Sequence, residues 1–336
     1  MLFQTTSHAS GAMSRILRLG AAAAFAAGLG APAMAQGEID KPECVAPAQP
    51  GGGFDLTCRI AQSGLEPHLS ETIQVTFMPG GIGAVAFNLF NTTRTDDDSA
   101  IVAYSTGSLL NIATGKYGQF SEEDVRWVAT AGADFGAVIV PADSPFESLE
   151  DVMNKLTEDP ASVVVGAGGS IGSQDWMKAA LLIREAGGTP QGMRYVALDG
   201  GGDAIAALMG GSIDVYTGDV GEMVPHMDAG TMRVLATMSN ERLDEPFADV
   251  PTAKELGYDV EWTIMRGFYM GGDVSDEAYN TWVDAFKAAY ETEEFAKLQS
   301  EKGLLPLNLA GDELTQAVND NMAKLREIAT EAGLIQ

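Results

Sequence analysis

Five glycine-rich turns are the segments of this sequence whose residue types and spacing could support chemistry. Glycine adopts positive φ angles and lets another group approach the backbone closely, so successive N–H groups at such turns can point at one anion. Each turn resembles a strand-to-helix corner, where the helix dipole adds to the attraction. One such turn is more simply a tight connection, but five favour an anion site. They span residues 50–55, 79–84, 105–108, 166–173 and 199–203.

The fourth turn also matches a nucleophile motif. Residues 168–172 read G-G-S-I-G, which is the G-x-S-x-G pattern of a hydrolase elbow, between a predicted strand and a predicted helix. The pattern is short and is expected by chance in a chain with 39 glycines, so a serine esterase is the secondary hypothesis. Its triad would combine Ser170 and His226 with one of Asp203, Asp214 or Asp219.

Other catalytic signatures do not occur in the sequence. The glycines at 166, 168 and 172 lack dinucleotide-binding spacing, because Ile171 stands where the last glycine belongs. Neither the phosphate-binding G-x-x-x-x-G-K-[ST] motif nor the zinc-binding H-E-x-x-H motif is found. We therefore expect no cofactor and no metal.

The first 35 residues have the layout of a Sec signal peptide. Two arginines precede an apolar run over residues 19–29, and Ala-Met-Ala at 33–35 provides a small-residue cleavage site. The run is about a dozen residues, shorter than the roughly 20 that span a bilayer, so a cleaved signal is favoured over an uncleaved anchor. Residues 1–35 are therefore predicted to direct export to the periplasm.

Cys44 and Cys58 are the only two cysteines. In an exported chain, two cysteines close in sequence more often form a disulfide than remain free thiols. The bridge would close a loop of about fifteen residues around the first glycine turn and contribute on the order of 3 kcal/mol. Without nearby histidines the pair cannot build a zinc site.

The chain is strongly acidic, with 47 aspartates and glutamates against 20 lysines and arginines and a formal charge of -27. Such a surface argues against nucleic acid and anionic lipid as partners, because phosphate binding needs a basic patch. Solubility alone explains many of these carboxylates. An anionic ligand must then be held by local donors against an unfavourable overall field.

Short β-rich runs alternate with amphipathic helical stretches, which is typical of an α/β protein. In open parallel sheets, ligands bind at the carboxyl ends of the strands, where these glycine turns would lie. The last predicted helix repeats apolar residues at three- or four-residue steps, which indicates one buried face rather than a cofactor site. The predicted strands are 73–78, 100–104, 138–141, 163–166, 193–197, 213–217 and 232–238, and the predicted helices are 173–186, 203–209, 276–290, 293–301 and 312–332.

Two stretches indicate domain boundaries, a proline-containing one at 141–145 and a polar one at 239–244. Two crossings between the same pair of domains would form a hinge. We expect a first domain assembled from residues 36–140 and 239–336, and a second domain, 141–238, inserted between them.

Four longer motifs contain or adjoin these features. They read C-V-A-P-A at 44–48 running into G-G-G-F-D-L-T-C at 51–58, M-P-G-G-I-G-A-V-A at 78–86, S-I-G-S-Q-D-W-M-K at 170–178, and R-G-F-Y at 266–269. Together they resemble the tricarboxylate-binding receptors of the tripartite tricarboxylate transporters, over essentially the whole mature chain. The segment around Ser170 fits these receptors over a longer stretch than it fits a hydrolase elbow, which disfavours the esterase.

The resemblance implies an α/β type II periplasmic binding protein, with two domains, a hinge and an interdomain cleft. Such a receptor is not an enzyme. It binds a small carboxylate and delivers it to a membrane permease with one large and one small subunit. Citrate is the first candidate, followed by isocitrate, aconitate, dicarboxylates and aromatic dicarboxylates. We expect a monomer whose closed form is selected because only that form satisfies all the carboxylates.

The resemblance also implies the ligand contacts. Receptors of this class hold carboxylates largely through backbone amides and water at the first two glycine corners, with further donors from both domains. The tricarboxylate branch shares both cysteines and usually has glutamate where this chain has Asp203, a change that keeps the charge but shortens the reach. The expected residues are Gly52, Gly53, Phe54, Asp55, Gly80, Gly81, Gly83, Ser105, Thr106, Ser108, Ser170, Ser173 and Asp175.

Two further charged residues, Arg266 and Asp219, complete the candidate site. Arg266 could clamp a carboxylate, because a guanidinium matches that group in bidentate fashion. A structural salt bridge explains this arginine equally well in so acidic a protein. Asp219, like Asp55 and Asp175, lies in a turn or at a helix start, where capping is the more common role.

Overall fold

The computed structural model describes residues 38–335, and the predicted signal peptide lies outside this range. None of the helices in the described range is both long enough and apolar enough to cross a membrane. The described chain forms two five-stranded sheets flanked by helices.

The first sheet has the strand order β2-β1-β3-β10-β4. Strand β1 is parallel to β2 and β3, whereas β10 is antiparallel to β3 and β4. Helices from both ends of the chain pack on this sheet, and we refer to the whole as lobe 1. Its strands are β1 (Glu43–Ala46), β2 (Gln74–Phe77), β3 (Ala100–Ser105), β4 (Val125–Phe135) and β10 (Thr263–Gly271), and its helices are α1 (Gly53–Gly64), α2 (Ala84–Phe90), α3 (Thr106–Ala113), α8 (Asp276–Tyr290), α9 (Glu293–Glu301) and α10 (Asp312–Glu331).

The second sheet has the order β7-β6-β8-β5-β9 and, with its helices, forms lobe 2. Strand β6 is parallel to β7 and β8, and β5 is antiparallel to β8 and β9. Its strands are β5 (Ala137–Pro141), β6 (Val164–Gly168), β7 (Arg194–Leu198), β8 (Val215–Tyr216) and β9 (Met232–Thr237), and its helices are α4 (Leu149–Glu158), α5 (Gln174–Glu185), α6 (Gly201–Met209) and α7 (Val224–Asp228).

The chain crosses between the sheets twice. Gly136 alone separates β4 from β5, and residues 238–262 connect β9 to β10. The crossings are hydrogen-bonded to each other, since Gly136 N donates to Trp262 O at 2.9 Å and Met238 N donates to Gly136 O at 2.7 Å. The expected boundary after residue 140 falls inside lobe 2, because β5 pairs with β8 and β9; sheet membership puts this crossing at Gly136.

A disulfide joins Cys44 to Cys58, as predicted. Both cysteines are completely buried in the core of lobe 1, with Trp282 and Phe286 of α8 in the same hydrophobic cluster. Because Cys44 lies in β1 and Cys58 in α1, the bridge holds together the two elements that flank the first glycine turn.

Candidate functional site

A cavity of about 40 Å³ lies between the two lobes. It is lined by the turns that follow β1, β2 and β3 in lobe 1 and β6, β7 and β8 in lobe 2, the carboxyl ends at which α/β proteins bind ligands. Its volume has room for a few water molecules. We call it the inner cavity; its lining residues are Gly53, Phe54, Ile82, Ser105, Gly107, Asn111, Gly168, Ser173, Gln174, Asp175, Gly200, Gly201, Tyr216, Asp219, Glu222 and Arg266.

A second and larger pocket, of about 500 Å³, adjoins the inner cavity. Ile82 and Asn111 line both spaces, and we call the larger one the outer pocket. The lobes are also in contact here, because Ile82 N donates to Asp199 Oδ1 at 3.2 Å and Lys116 Nζ donates to Ile171 O at 3.1 Å. The other residues around the outer pocket are Gly81, Ala84, Gly169, Ser170, Ala197 and Leu198.

The lobes are in close contact where two glycine turns meet. A Cβ atom added at Gly52 would lie 2.7 Å from Gly202 N, a distance that real Cβ atoms essentially never show. Gly52 has φ −96°, which any residue adopts, so glycine is required here by the close approach of the lobes rather than by backbone conformation.

Arg266 lies on β10 and is only 1% exposed. Its Nε donates to Asp134 Oδ2 at 2.7 Å, and its Nη2 donates to Asp219 Oδ2 at 2.6 Å. Asp134 belongs to lobe 1 and Asp219 to lobe 2, so the guanidinium ties the lobes together. The remaining nitrogen, Nη1, lies beside Gly53 and forms no hydrogen bond to any residue between 38 and 335.

Lys178 is a second buried cation, on α5. Its Nζ lies 2.6 Å from Asp219 Oδ1 and 2.7 Å from Asp175 Oδ1, and it donates to Gly218 O at 2.7 Å. Sequence reasoning did not propose Lys178 as a site residue. The three-residue spacing of Asp175 and Lys178 on a helix was the available signal, because it places the two side chains on one face.

Glu222 links the lobes at the first glycine corner. It ends a short 3-10 helix, Val220–Glu222, and is 5% exposed. Its Oε1 accepts from Gly53 N at 2.5 Å, and its Oε2 accepts from Tyr216 OH at 2.5 Å. Sequence reasoning missed Glu222, since no local pattern distinguishes it from the many solvent-exposed glutamates of this chain.

The buried cluster contains four carboxylates, from Asp134, Asp175, Asp219 and Glu222, but two cations. Burial raises the pKa of Asp134, that of Asp175 to about 6 and that of Glu222 to about 8, with Asp219 adding to each shift. Burial alone would also raise the pKa of Asp219, but Lys178 and Arg266 outweigh it and lower that pKa. Glu222 is therefore mainly protonated at neutral pH.

Burial opposes the charged forms of the two cations, but their carboxylate partners prevail. The pKa of Lys178 is raised by Asp175 and Asp219, and that of Arg266 by Asp134, Asp219 and Glu222. Both side chains therefore remain charged.

The structure gathers seven of the expected ligand residues around the inner cavity and two around the outer pocket. The first group is Gly53, Phe54, Ser105, Ser173, Asp175, Asp219 and Arg266, and the second is Gly81 and Ser170. Gly52, Asp55, Gly80, Gly83, Thr106 and Ser108 line neither space.

Several of the expected polar contacts have local roles instead. Asp55 accepts from Gly51 N at 2.9 Å, and Thr106 Oγ1 accepts from Met265 N at 2.8 Å. Ser105 and Ser108 form a capping box at the start of α3. Their hydroxyl oxygens are thus occupied by backbone donors.

The residues of the esterase hypothesis are not arranged as a triad. Ser170 is exposed at the outer pocket, whereas the ring of His226 has Thr231 Oγ1 as its neighbour, at 3.5 Å. Asp219 is held by Lys178 and Arg266, and Asp214 accepts from Val164 N at 2.8 Å.

Comparison with known protein families gives a match over most of the chain. The model of the tripartite tricarboxylate transporter family receptor matches residues 57–334. The chain belongs to this family. A tripartite tricarboxylate transporter family receptor is a solute-binding protein and not an enzyme, so the esterase hypothesis is rejected.

Solved structures of similar proteins show the fold. The periplasmic binding protein BugD has a TM-score of 0.77 at 18% identity, over 88% of this chain and 98% of that one. MatC from Rhodopseudomonas palustris, solved with malate, has a TM-score of 0.73 at 19% identity over 86% and 98%. Rpa4515 from R. palustris, solved with adipate, has a TM-score of 0.76 at 19% identity over 87% and 97%. The predicted periplasmic binding fold, with two domains, is confirmed.

Proposed function

We propose that this receptor captures a small carboxylate in the periplasm, with citrate as the first candidate, and delivers it to the permease of a tripartite tricarboxylate transporter. The observation that carries the proposal is the convergence of six strand ends from both lobes on one cavity, next to the unoccupied Nη1 of Arg266. Donors from both lobes can then act on one ligand.

Arg266 is the strongest attraction for an anion in this cavity. Two of its nitrogens are hydrogen-bonded to Asp134 and Asp219, which fixes the guanidinium plane, and Nη1 lies beside Gly53 at the N-terminus of α1. A rigid charged donor loses little conformational entropy on binding. The ligand's carboxylate would lie at Nη1 and the neighbouring backbone N–H groups.

Ligand entry requires the lobes to separate. The inner cavity has room for a few water molecules, which is far less than a citrate ion needs. The outer pocket adjoins it and offers the route inward. Gly136 and residues 238–262 would act as the hinge, because they are the two covalent connections between the lobes.

The relatives solved with malate and adipate make dicarboxylates the main alternative to citrate for this chain. Aromatic dicarboxylates are a third possibility within the same receptor class. All of them share the carboxylate that the Arg266 proposal requires.

A thermal-shift screen of the exported chain, residues 36–336, tests the ligand class. A ligand that binds only the folded form raises the melting temperature. At a hundredfold excess over Kd, it adds about 2.7 kcal/mol to the free energy of unfolding. We expect citrate to raise it, with neutral sugars and amides as controls. A rise with dicarboxylates alone would reassign the ligand, and no response to any carboxylate would contradict the proposal.

Delivery to a permease needs a separate measurement. We expect deletion of this receptor from its host to abolish saturable uptake of the labelled ligand, and the receptor supplied in trans to restore it. A version without residues 1–35 should fail to restore uptake, because the predicted signal peptide is missing. Unchanged uptake in the deletion strain would contradict a delivery role.

A further inference from the structure

Gln174 carries an uncharged acceptor that lacks a partner in the lining of the inner cavity. Its Oε1 is buried and has no hydrogen-bond partner anywhere in residues 38–335, although the side chain is only 8% exposed. Burying an acceptor without a partner costs free energy that an apolar side chain of the same shape would not incur. A purely structural role therefore does not account for a glutamine here.

Three neighbouring polar groups of the cavity are already engaged. Asp175 Oδ1 lies 2.7 Å from Lys178 Nζ, and Glu222 accepts from Gly53 N and Tyr216 OH. Ser173 Oγ donates to Gly168 O at 2.9 Å. Gln174 Oε1 and the Nη1 of Arg266 are thus among the lining groups with unused hydrogen-bonding capacity on which a ligand could draw.

Gln174 reaches across the cleft. It is the first residue of α5 in lobe 2, and it packs against Gly107 in the first turn of α3 in lobe 1. A Cβ atom at Gly107 would lie 2.9 Å from Gln174 Cδ, so the glycine leaves the space that the amide occupies. A ligand held between the lobes would meet this amide from the side of lobe 2.

The charges around the cavity indicate which ligand group the amide would accept. Even with Glu222 protonated, three carboxylates face two cations in the buried cluster, and two of the three, Asp175 and Asp219, line the cavity. Such surroundings oppose an anionic group beside Gln174 and favour a hydrogen-bond donor at that position. The Oε1 of Gln174 is an acceptor and therefore matches a ligand hydroxyl or ammonium group.

We propose that Gln174 is a specificity-determining residue that selects carboxylates carrying a hydrogen-bond donor, a hydroxyl or an ammonium group, near the carboxylate that Arg266 binds. This inference rests on the proposed function, because it assumes that a carboxylate occupies the inner cavity. It assigns the discrimination between similar carboxylates to one side chain of lobe 2.

Matched ligand pairs measured by calorimetry test the inference. Citrate is compared with tricarballylate, which lacks its hydroxyl, and succinate is compared with malate and with aspartate, which add a hydroxyl and an ammonium group. We expect the wild-type receptor to bind the donor-bearing member about tenfold more tightly in at least one pair, as one well-placed hydrogen bond allows. The malate and aspartate arms distinguish the two donors.

The variant Gln174→Met keeps the length of the side chain and removes the amide. We expect it to lose the preference by weakening the donor-bearing ligand while leaving its donor-free partner nearly unchanged. Gln174→Asn, which withdraws the amide by one methylene group, should reduce the preference as well. Gln316→Met, on the exposed face of α10, is the matched control and should keep the wild-type preference.

The outcomes separate the two levels of the proposal. If the wild-type receptor binds carboxylates without preferring donors, or if both Gln174 variants keep the preference, Gln174 does not determine specificity. If both variants weaken all ligands equally, its role is structural. If no carboxylate binds to the wild-type receptor, the proposed function itself fails.

Discussion

Arg266 shows how burial changes what a charged side chain contributes. The sequence left two roles open for it, a ligand clamp and a structural salt bridge. The structure gives it two carboxylate partners at 2.6–2.7 Å and 1% exposure, and Nη1 lies beside Gly53, which lines the cavity with Arg266. Arg266 therefore forms a structural salt bridge, and its proposed role in ligand binding depends on Nη1 alone.

Replacing Arg266 should destabilise the protein. Arg266→Ala leaves the carboxylates of Asp134 and Asp219 buried with less positive charge beside them. Breaking a buried ion pair costs about 3–5 kcal/mol. We expect a clear fall in the urea midpoint without ligand. Arg242→Ala is the control, because its bridge to Glu255 is exposed on both sides and should contribute at most about 1 kcal/mol. Equal effects for the two variants would refute the structural role of Arg266.

Sequence reasoning found the residues around the cavity when they lay in glycine corners, as with Gly53 and Ser173. It missed Lys178 and Glu222, whose importance depends on partners distant in sequence. The backbone N–H that donates to Glu222 belongs to Gly53, which is 169 residues away in sequence. A local sequence pattern cannot predict a contact between residues so far apart in sequence, because the contact forms only in the folded structure.

At the scale of elements, the seven predicted strands and five predicted helices are all present, with ends that agree within two residues. Three strands were not predicted: β1, β4 and β10. Both β4 and β10 contain glycine and charged residues in their interior. In β10, Arg266 and Gly267 interrupt the apolar pattern. Gly267 is needed because a Cβ atom there would lie 2.8 Å from a ring carbon of Tyr104, and tertiary packing of this kind overrides strand propensity.

The contact between glycine turns predicts a second variant. Gly52→Ala places a Cβ against Gly202 of lobe 2 without backbone strain, so it should oppose closure of the lobes. Overpacking of this kind costs about 1–3 kcal/mol, which corresponds to a loss of roughly 5-fold to 150-fold in ligand affinity. Calorimetry with the best ligand from the thermal screen would measure the loss.

Gly210→Ala is the matched control for that experiment. Gly210 ends α6 away from the lobe contact and has an ordinary φ of −80°, so its substitution should leave affinity unchanged. Unaltered affinity in Gly52→Ala would show that the two turns do not need to meet when ligand is bound.

At the scale of the whole molecule, the buried cluster makes the contact between the two lobes depend on pH. Its carboxylates come from β4, from α5 and from the segment that follows β8, and Arg266 and Lys178 lie between them. Glu222 also faces Tyr216 and, through Gly53 N, the start of α1. Because this environment exists only where the lobes meet, the protonation of Glu222 reports on their contact.

The raised pKa values of Glu222, about 8, and Asp175, about 6, set the direction of the pH dependence. Below the ordinary pKa of a carboxyl group, near 4–4.5, both folded and unfolded chains are protonated there. As pH rises towards 8, the unfolded chain releases these protons first, so the folded chain binds more protons and its stability falls. We expect the contribution of this cluster to decrease stability between about pH 5 and pH 8.

Glu222→Gln isolates the contribution of Glu222. Glutamine resembles the protonated acid, since its oxygen can accept from Gly53 N while its amide can donate to Tyr216. The variant should match the wild-type stability at pH 5 and exceed it at pH 8, with the remaining decline due partly to Asp175. Urea unfolding at several pH values measures this, and Glu327→Gln on the exposed face of α10 should follow the wild-type curve. If Glu222→Gln also runs parallel to the wild type, Glu222 is already ionised at neutral pH, and the cavity carries one more negative charge than we infer.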